Sequence, residues 1–308
     1  MERYLVTGGA GFIGSHLVEA LLAENHFVRV LDNFDTGSPE NLRGFSGNLE
    51  IMEGSVEDDA TVSKAVEGID YVLHQAARGS VPRSVSDPRG THQNNVTGTL
   101  QVLRASQQAG VKRVVCASSS SVYGETAVLP KEESMVPDPC SPYAASKQMQ
   151  EIYCRVFHRA YGLETVALRY FNIFGPRQNP NLQYAAVIPS FIRQMKAGRP
   201  CTIYGDGEQT RDFTYVADCV RANLLACRTP GISGQVCNIA CGRQTRVNQL
   251  FQMLKKHFDY DMEPVYAEPR PGDVKHSYAS TVKTEKLLHF QPHWSLEEGL
   301  EKTVLSFD

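Results

Sequence analysis

The chain has 308 residues, 42% hydrophobic and 21% charged, which is enough to bury a full core in one or two domains. A formal net charge of -3, with Lys and Arg scattered and no long basic run, argues against nucleic acid as a partner. The N-terminal MERYLVTGGAGFIG lacks a basic stretch ahead of a long apolar run, and no segment approaches the roughly 20 apolar residues of a membrane helix, so no membrane partner and a cytoplasmic location are expected.

Short apolar runs at residues 4–7, 27–31, 49–52, 71–74, 113–117 and 165–171 alternate with segments of helical period. Runs this short and this apolar suit strands buried on both faces, hence a parallel sheet covered by helices through right-handed crossovers. The predicted fold class is α/β, a Rossmann-type doubly wound parallel sheet with a smaller C-terminal α/β substrate lobe. After Phe171 the texture changes to NIFGPRQNPNLQYAAVIP and later to EPRPGD, so the expected division is residues 1–171 for the dinucleotide-binding domain and 172–211 with 241–308 for the smaller lobe. The helical segment 216–227 and the apolar run 235–240 suggest that residues 212–240 return to the first sheet. The 8 Cys form no CxxC pair and have no zinc-like His spacing, so they read as buried small hydrophobes and no metal is expected. Cys237 and Cys241, the close pair, read as packing at a strand end.

The segment TGGAGFIGSHL sets Gly8, Gly11 and Gly14 between a predicted strand and a predicted helix. Gly8 would allow the tight turn, Gly11 close approach of the backbone to a pyrophosphate, and Gly14 close helix–strand packing. The helix N-terminus would then present its unpaired N–H groups and positive dipole end to phosphates. Asp32 ends the second strand about 20 residues further on, where a carboxylate accepts hydrogen bonds from an adenosine ribose. No Arg follows in Asn33, Phe34 or Asp35 to neutralise a 2′-phosphate, so the expected cofactor is NAD.

In SPYAASKQMQEIYCRVF, Tyr143 and Lys147 lie four apart on a predicted helix, on one face and one turn from each other. A free phenol, with a pKa of about 10, is a poor base at neutral pH, but an ammonium and a positive nicotinamide beside it stabilise the phenolate. The fifth strand ends in ASSSSVYG, at the sheet edge where open α/β folds bind ligands, and Ser119 is the expected partner of Tyr143 in handling a substrate proton. Tyr170 and Asn172 in RYFN reach the same edge. Arg211 in RDF and Arg270 in EPRPGD, with Asp273 close behind, are expected to grip a diphosphate, the alternative for each Arg being an ordinary surface ion pair.

Together TGGAGFIG, Asp32, HQAARGSVPRS, the NVTGT stretch, SSSSVYG, SPYAASK, RYFNIFGPRQ, IYGDG, RDF and RPGD resemble the nucleotide-sugar epimerase/dehydratase branch of the extended short-chain dehydrogenases, and within it the UDP-hexose 4-epimerases. The resemblance covers nearly the whole chain. It implies NAD lined by Phe12, Ile13, Asp32, Asn33, Gly37, Asn95, Tyr143, Lys147 and Tyr170, with Val56, Gln75, Ala76, Ala77 and Ser118 completing that wall. Where the family often carries Asp to touch the adenine, this chain has Ser55, whose hydroxyl can accept one hydrogen bond. For the UDP portion it implies Asn172, Ala186, Val187, Tyr204, Arg211, Arg270 and Asp273. Ser80, Val81, Arg83, Ser119 and Ser120 would face the sugar. A homodimer formed through helices including the one carrying Tyr143 is also implied.

Dehydratases and decarboxylases of the branch usually carry acidic residues just before VYG, where this chain has Ser120 and Ser121, and hydroxyls cannot serve as acid and base at C5 and C6. Ser277 stands where a bulky Tyr closes the pocket of epimerases that reject N-acetylated sugars. The resemblance therefore implies interconversion of UDP-N-acetylglucosamine and UDP-N-acetylgalactosamine, with UDP-glucose and UDP-galactose as further substrates. UDP-glucuronate 4-epimerases share SSSSVYG and a similar small residue, and Arg83 could pair with a carboxylate, so that substrate stays open.

Overall fold

Seven strands, β1 (Arg3–Thr7), β2 (Phe27–Asp32), β3 (Leu49–Glu53), β4 (Tyr71–His74), β5 (Arg113–Ser119), β6 (Glu164–Tyr170) and β7 (Gln235–Ile239), form one parallel sheet in the order β3-β2-β1-β4-β5-β6-β7. The computed structural model describes residues 1–179, 186–269 and 274–307. Each of the six apolar runs read from the sequence is a strand of this sheet, as expected for the Rossmann type. β5, with six of its seven residues buried, is covered on both faces.

The pleat sends alternate side chains to opposite layers. Tyr4, Val6, Val28 and Val30 pack with Leu17, Val18 and Leu21 of helix α1 (Phe12–Ala23) in one core. Leu5, Leu31, Val72 and Val114 pack in the other, under helices α2 (Asp59–Ala65), α3 (Gly98–Gln108) and α4 (Pro142–Tyr161). Each such buried aliphatic contributes about 1.5–3 kcal/mol relative to exposure, so the sheet is held from both sides. Because β4 lies on the other side of β1 from β2, the chain reverses winding direction between β1 and β4 and opens a crevice at their carboxyl ends.

Later segments fall in two places. Helix α5 (Val187–Lys196), helix α7 (Val247–Lys255) and helix α8 (Leu296–Leu305) bury Ile188, Phe191, Leu250, Leu254 and Leu300 in a third core with Phe174 and Tyr215. Helix α6 (Val216–Arg228) instead packs Val220 and Leu224 into the α1 core, and β7 pairs with β6 from Gln235↔Val166 to Ile239↔Tyr170. Leu288 and Phe290 join the same core. Among the described residues no helix is long and apolar enough to cross a membrane. Cys237 is buried in β7 and Cys241 lies half-buried just beyond it.

Candidate active site

The crevice is a cleft of about 1110 Å³ whose floor is the glycine-rich turn. Gly8 has φ of +68°, and a Cβ there would come within 2.7 Å of the Ala76 amide nitrogen on the neighbouring strand end. A Cβ on Gly14 would lie 2.1 Å from the Gly8 carbonyl oxygen, so α1 can approach the turn only without a side chain at that position. Gly11 is the N-cap of α1, and no side chain caps the helix, which leaves its first amides facing the cleft beside Phe12 and Ile13. The buried Asp32 carboxylate accepts the Ala10 and Phe34 amides, each at 2.9 Å, and so fixes the loop that follows β2. Gly37 closes against it, because a Cβ there would sit 3.0 Å from Asp32 Oδ2. A backbone cradle open to an anion, a carboxylate one strand away and a cleft long enough for a dinucleotide fit NAD.

Across the cleft stand the ends of β5 and α4. Ser141 caps α4 through the Ala144 amide and Pro142 sits at its first turn, so the helix begins immediately before Tyr143. Tyr143 and Lys147 both line the cleft, with the Lys147 Nζ 5.9 Å from the Tyr143 ring centroid. Lys147 is buried and donates to Ala117 O at 2.7 Å and Gln150 Oε1 at 3.2 Å; burial pulls its pKa down to about 8. Burial pushes the Tyr143 phenol up, while hydrogen bonding to the Ser119 hydroxyl acts the other way. Ser119 in turn accepts the Ser121 hydroxyl at 2.9 Å and its amide at 3.2 Å. This trio gathers a phenol, an ammonium and a hydroxyl at one end of the cleft, with Tyr143 and Lys147 in its lining and Ser119 adjoining it.

Behind the cleft wall runs a directional chain of hydrogen bonds. The Ala76 amide donates to Thr7 Oγ1 at 3.3 Å, and Thr7 lies 2.7 Å from His74 Nδ1. His74 Nε2 lies 3.0 Å from Thr99 Oγ1, which donates to Asn95 O at 2.6 Å, so the ring donates from Nε2 and accepts at Nδ1. Burial holds His74 neutral, with its pKa pulled down to about 3. Asn95 then donates to Ser146 Oγ at 2.9 Å, and Ser146 donates to Tyr143 O at 2.7 Å. The chain ties the glycine turn to the helix that carries Tyr143.

Of the residues singled out in the sequence, Asn33, Val56, Gln75, Ala76, Ala77, Ser80, Arg83, Ser118 and Tyr170 also line this cleft. Tyr170 donates to Asn223 Oδ1 at 2.9 Å and receives Gln75 Nε2 at 3.1 Å. Asn95 is placed elsewhere: it is buried behind the wall, accepting the Arg78 amide at 2.8 Å. The Ser55 hydroxyl accepts the Glu57 amide at 3.1 Å, outside the cleft lining. Val81 opens the short helix Val81–Ser86, and Ser120 opens the 3-10 turn Ser120–Tyr123.

Tyr204 and Arg211 line a separate hollow of about 600 Å³ with Tyr266 and Lys275. Arg211 donates to Thr210 O at 2.9 Å. Asn172 donates to Asp212 O, and the Asp212 carboxylate collects the amides of Cys241, Gly242 and Ala279 at 2.9, 3.0 and 3.2 Å. Burial pushes Asp212 up to about 6. Half-buried Ser277 is held by its amide on Thr210 O, next to Arg211. Ala186 caps α5 and Val187 begins it, away from both hollows. Arg270 and Asp273 lie outside the described residues.

Sequence reasoning missed Asp35, Arg78 and Arg177 in the cleft wall. Arg78 was available inside HQAARGSVPRS and Arg177 inside GPRQ, but neither type nor spacing marks them as site residues. Ser306 and Phe307 reach the cleft from the C-terminal end with no motif at all.

Residues 4–240 match the NAD dependent epimerase/dehydratase family. A UDP-N-acetylglucosamine 4-epimerase from Methanobrevibacter ruminantium M1, solved in complex with UDP-N-acetylmuramic acid, is 43% identical with a TM-score of 0.95 over 99% of this chain and 98% of that one. A UDP-glucose 4-epimerase from Thermotoga maritima, solved with UDP-glucose, is 43% identical with a TM-score of 0.94 over the same shares, 99% and 98%. A UDP-glucuronic acid 4-epimerase from Bacillus cereus, in complex with UDP-glucuronic acid and NAD, is 34% identical with a TM-score of 0.92 over 99% and 98%. With its Rossmann-type sheet, glycine cradle and gathered Tyr143 and Lys147, the chain belongs to the NAD-dependent epimerase/dehydratase family and is an NAD-dependent enzyme.

Proposed function

We propose that the enzyme is a UDP-sugar 4-epimerase that interconverts UDP-N-acetylglucosamine and UDP-N-acetylgalactosamine and also accepts UDP-glucose and UDP-galactose. The observation that carries the reading is the trio at the ends of β5 and α4, where Tyr143 meets Lys147 on one side and the Ser119 hydroxyl on the other. Tyr143 takes the proton of the C4 hydroxyl, with Ser119 sharing that proton and Lys147 holding the phenolate by its charge. NAD, when bound in the cleft, would supply reversible hydride chemistry at C4. Between proton removal and return the 4-keto sugar would turn over about a diphosphate held by Arg211, the residue of this role that lies within the described structure. Tyr143 then returns its proton to the new C4 oxygen, and no net redox change remains.

Gly8, Gly11, Gly14 and Asp32 would hold the dinucleotide, with Tyr170 and Gln75 against it. Ser120 and Ser121 in place of acidic residues speak against 4,6-dehydration, which needs a proton donor and acceptor at C5 and C6. Arg83, the cation the sequence offers to a sugar C6 carboxylate, is already paired with Asp35 at 3.2 Å, so a glucuronate would compete with that partner. Ser277, small where epimerases that reject N-acetylated sugars carry Tyr, supports the N-acetylhexosamine reading. A second copy of the chain is the proposed partner: Met149 and Val156, two turns apart on α4, are 38% and 43% exposed and form an apolar stripe beside α3 that a helix pair would cover. Light scattering at micromolar concentration should give twice the monomer mass.

The test is to incubate the purified protein with UDP-N-acetylglucosamine, UDP-glucose and UDP-glucuronate and follow the anomeric protons by NMR. The expected result is the C4 epimer of the first two, reduced about a thousandfold in Tyr143→Phe. A 4-keto-6-deoxy product, or turnover of UDP-glucuronate alone, would refute the reading.

A further inference from the structure

We propose that the buried pair Glu151 and Arg169 is a positioning element of the active site, locking α4 against the carboxyl end of β5 and keeping Lys147 charged; this rests on the roles given above to Tyr143 and Lys147. Glu151 is 1% and Arg169 3% exposed. Arg169 donates from Nε to Glu151 Oε1 at 2.8 Å and from Nη2 to Oε2 at 2.7 Å, a forked contact. The Ser118 hydroxyl donates to the same Oε1 at 2.5 Å. Ser118 lines the cleft, and its neighbour Ser119 is the hydroxyl bonded to Tyr143. Glu151 thus joins three elements, α4, β5 and β6, immediately behind the reacting groups.

Stability does not account for the pair. Two apolar side chains of the same volume would commonly hold this interior as well, and Arg169 Nη1 is buried without a geometric hydrogen bond among the described residues, a cost the ion pair carries. The Arg169 guanidinium also lies 4.5 Å above the Tyr123 ring and interacts with that side chain, which fixes its plane. What the pair supplies is placement and charge. Glu151 follows Lys147 by four residues, on the same helix face. The titratable groups acting on Lys147 are Cys116 on β5, Cys154 and Glu151 on α4, while His74 on β4 feels the ammonium in return. Glu151 is the carboxylate among them, and, after the two thiols, its charge opposes the burial that pulls the Lys147 pKa down. Without it, the ammonium weakens and the Tyr143 phenolate loses support.

Replacing either partner alone strands a buried charge, so the informative variant is the double replacement Glu151→Met with Arg169→Met. In the NAD-saturated protein, the Tyr143 phenol is titrated by ultraviolet difference absorbance against Tyr143→Phe in each background, which requires no substrate. The expected result is a thermal midpoint at or above the parent's and a Tyr143 titration midpoint raised relative to the parent's. A folded double variant whose Tyr143 midpoint equals the parent's overturns the proposal. Glu151→Asp tests placement separately, since it keeps the charge and withdraws it by one methylene. It should leave the midpoint in place and lower kcat about tenfold with KM unchanged, and an unchanged kcat overturns the positioning role. Failure of the epimerase reading would show instead as a parent enzyme that makes no C4 epimer, whatever the titration gives.

Discussion

The two hollows of this enzyme are specified by different means. In the cofactor cleft the shape is set by backbone: Gly8 and Gly14 are the residues whose Cβ atoms would strike neighbouring main chain, and Asp32 spends its carboxylate on two loop amides. In the hollow around Arg211 the walls are side chains, Tyr204, Tyr266 and Lys275, hung on short strand pairs such as Val265–Ala267 with Thr202–Tyr204 and braced by Asp212. A site built from backbone tolerates little change and fails with the fold. A site built from side chains can be altered one contact at a time.

The largest effect expected on the cofactor side is on folding in acid. An unfolded His74 takes a proton near 6.5, whereas in the fold it resists protonation down to about 3. The unfolded state therefore binds more protons between those values, and stability falls as the pH drops through that window, by about 5 kcal/mol in all. Half-buried His16, held down to about 4 by burial and by Arg177, adds a second slope over a narrower range. Denaturant titrations from pH 7 to 4 should show this slope, reduced in His74→Gln; an unchanged slope in that variant would mean His74 is not the titrating group.

Gly14→Ala comes next. Its methyl would have to displace the Gly8 carbonyl, and a cost of about 3 kcal/mol is expected in thermal unfolding together with loss of copurifying NAD. Retention of NAD at parental stability would show that the turn yields more easily than its geometry implies.

On the other side of the comparison the changes should be graded and leave the fold intact. Ser277→Tyr is expected to cut kcat/KM for UDP-N-acetylglucosamine about a hundredfold while UDP-glucose turns over nearly as before, measured as a ratio on one preparation. Equal losses on both sugars would place Ser277 away from the N-acetyl group. Arg211→Ala should raise KM for either sugar about tenfold, with thermal stability within a degree or two of the parent. A stability loss as large as that of Gly14→Ala would erase the contrast between the two hollows.

The same contrast explains what could be read in the sequence. The sheet was legible because strands buried on both faces must be continuous apolar runs, and residues 71–74 match β4 end to end. The glycine cradle, Asp32, Tyr143 and Lys147 were legible because steric need and helical spacing leave a mark at fixed intervals. Asn95 reads as a cleft residue in the sequence but lies behind the wall, since its neighbourhood is set by contacts with Ser146 and Arg78, far away in the chain or around a turn. Asp35, Arg78 and Arg83 come together as an ion cluster at the cleft mouth only through the packing of the loops after β2 and β4, and nothing in their spacing announces it. The buried Glu151 likewise looks like an ordinary helix-surface residue until Arg169 and Ser118 are placed against it.

The most direct test of the central claim follows the hydrogen on C4. Turnover of UDP-N-acetylglucosamine in deuterium oxide, with the product isolated and its C4 position read by proton NMR and mass, distinguishes hydride removal and return from abstraction of a carbon-bound proton. The account predicts a C4 epimer that carries its original hydrogen and no solvent deuterium at C4. Deuterium at C4 of the product would contradict it.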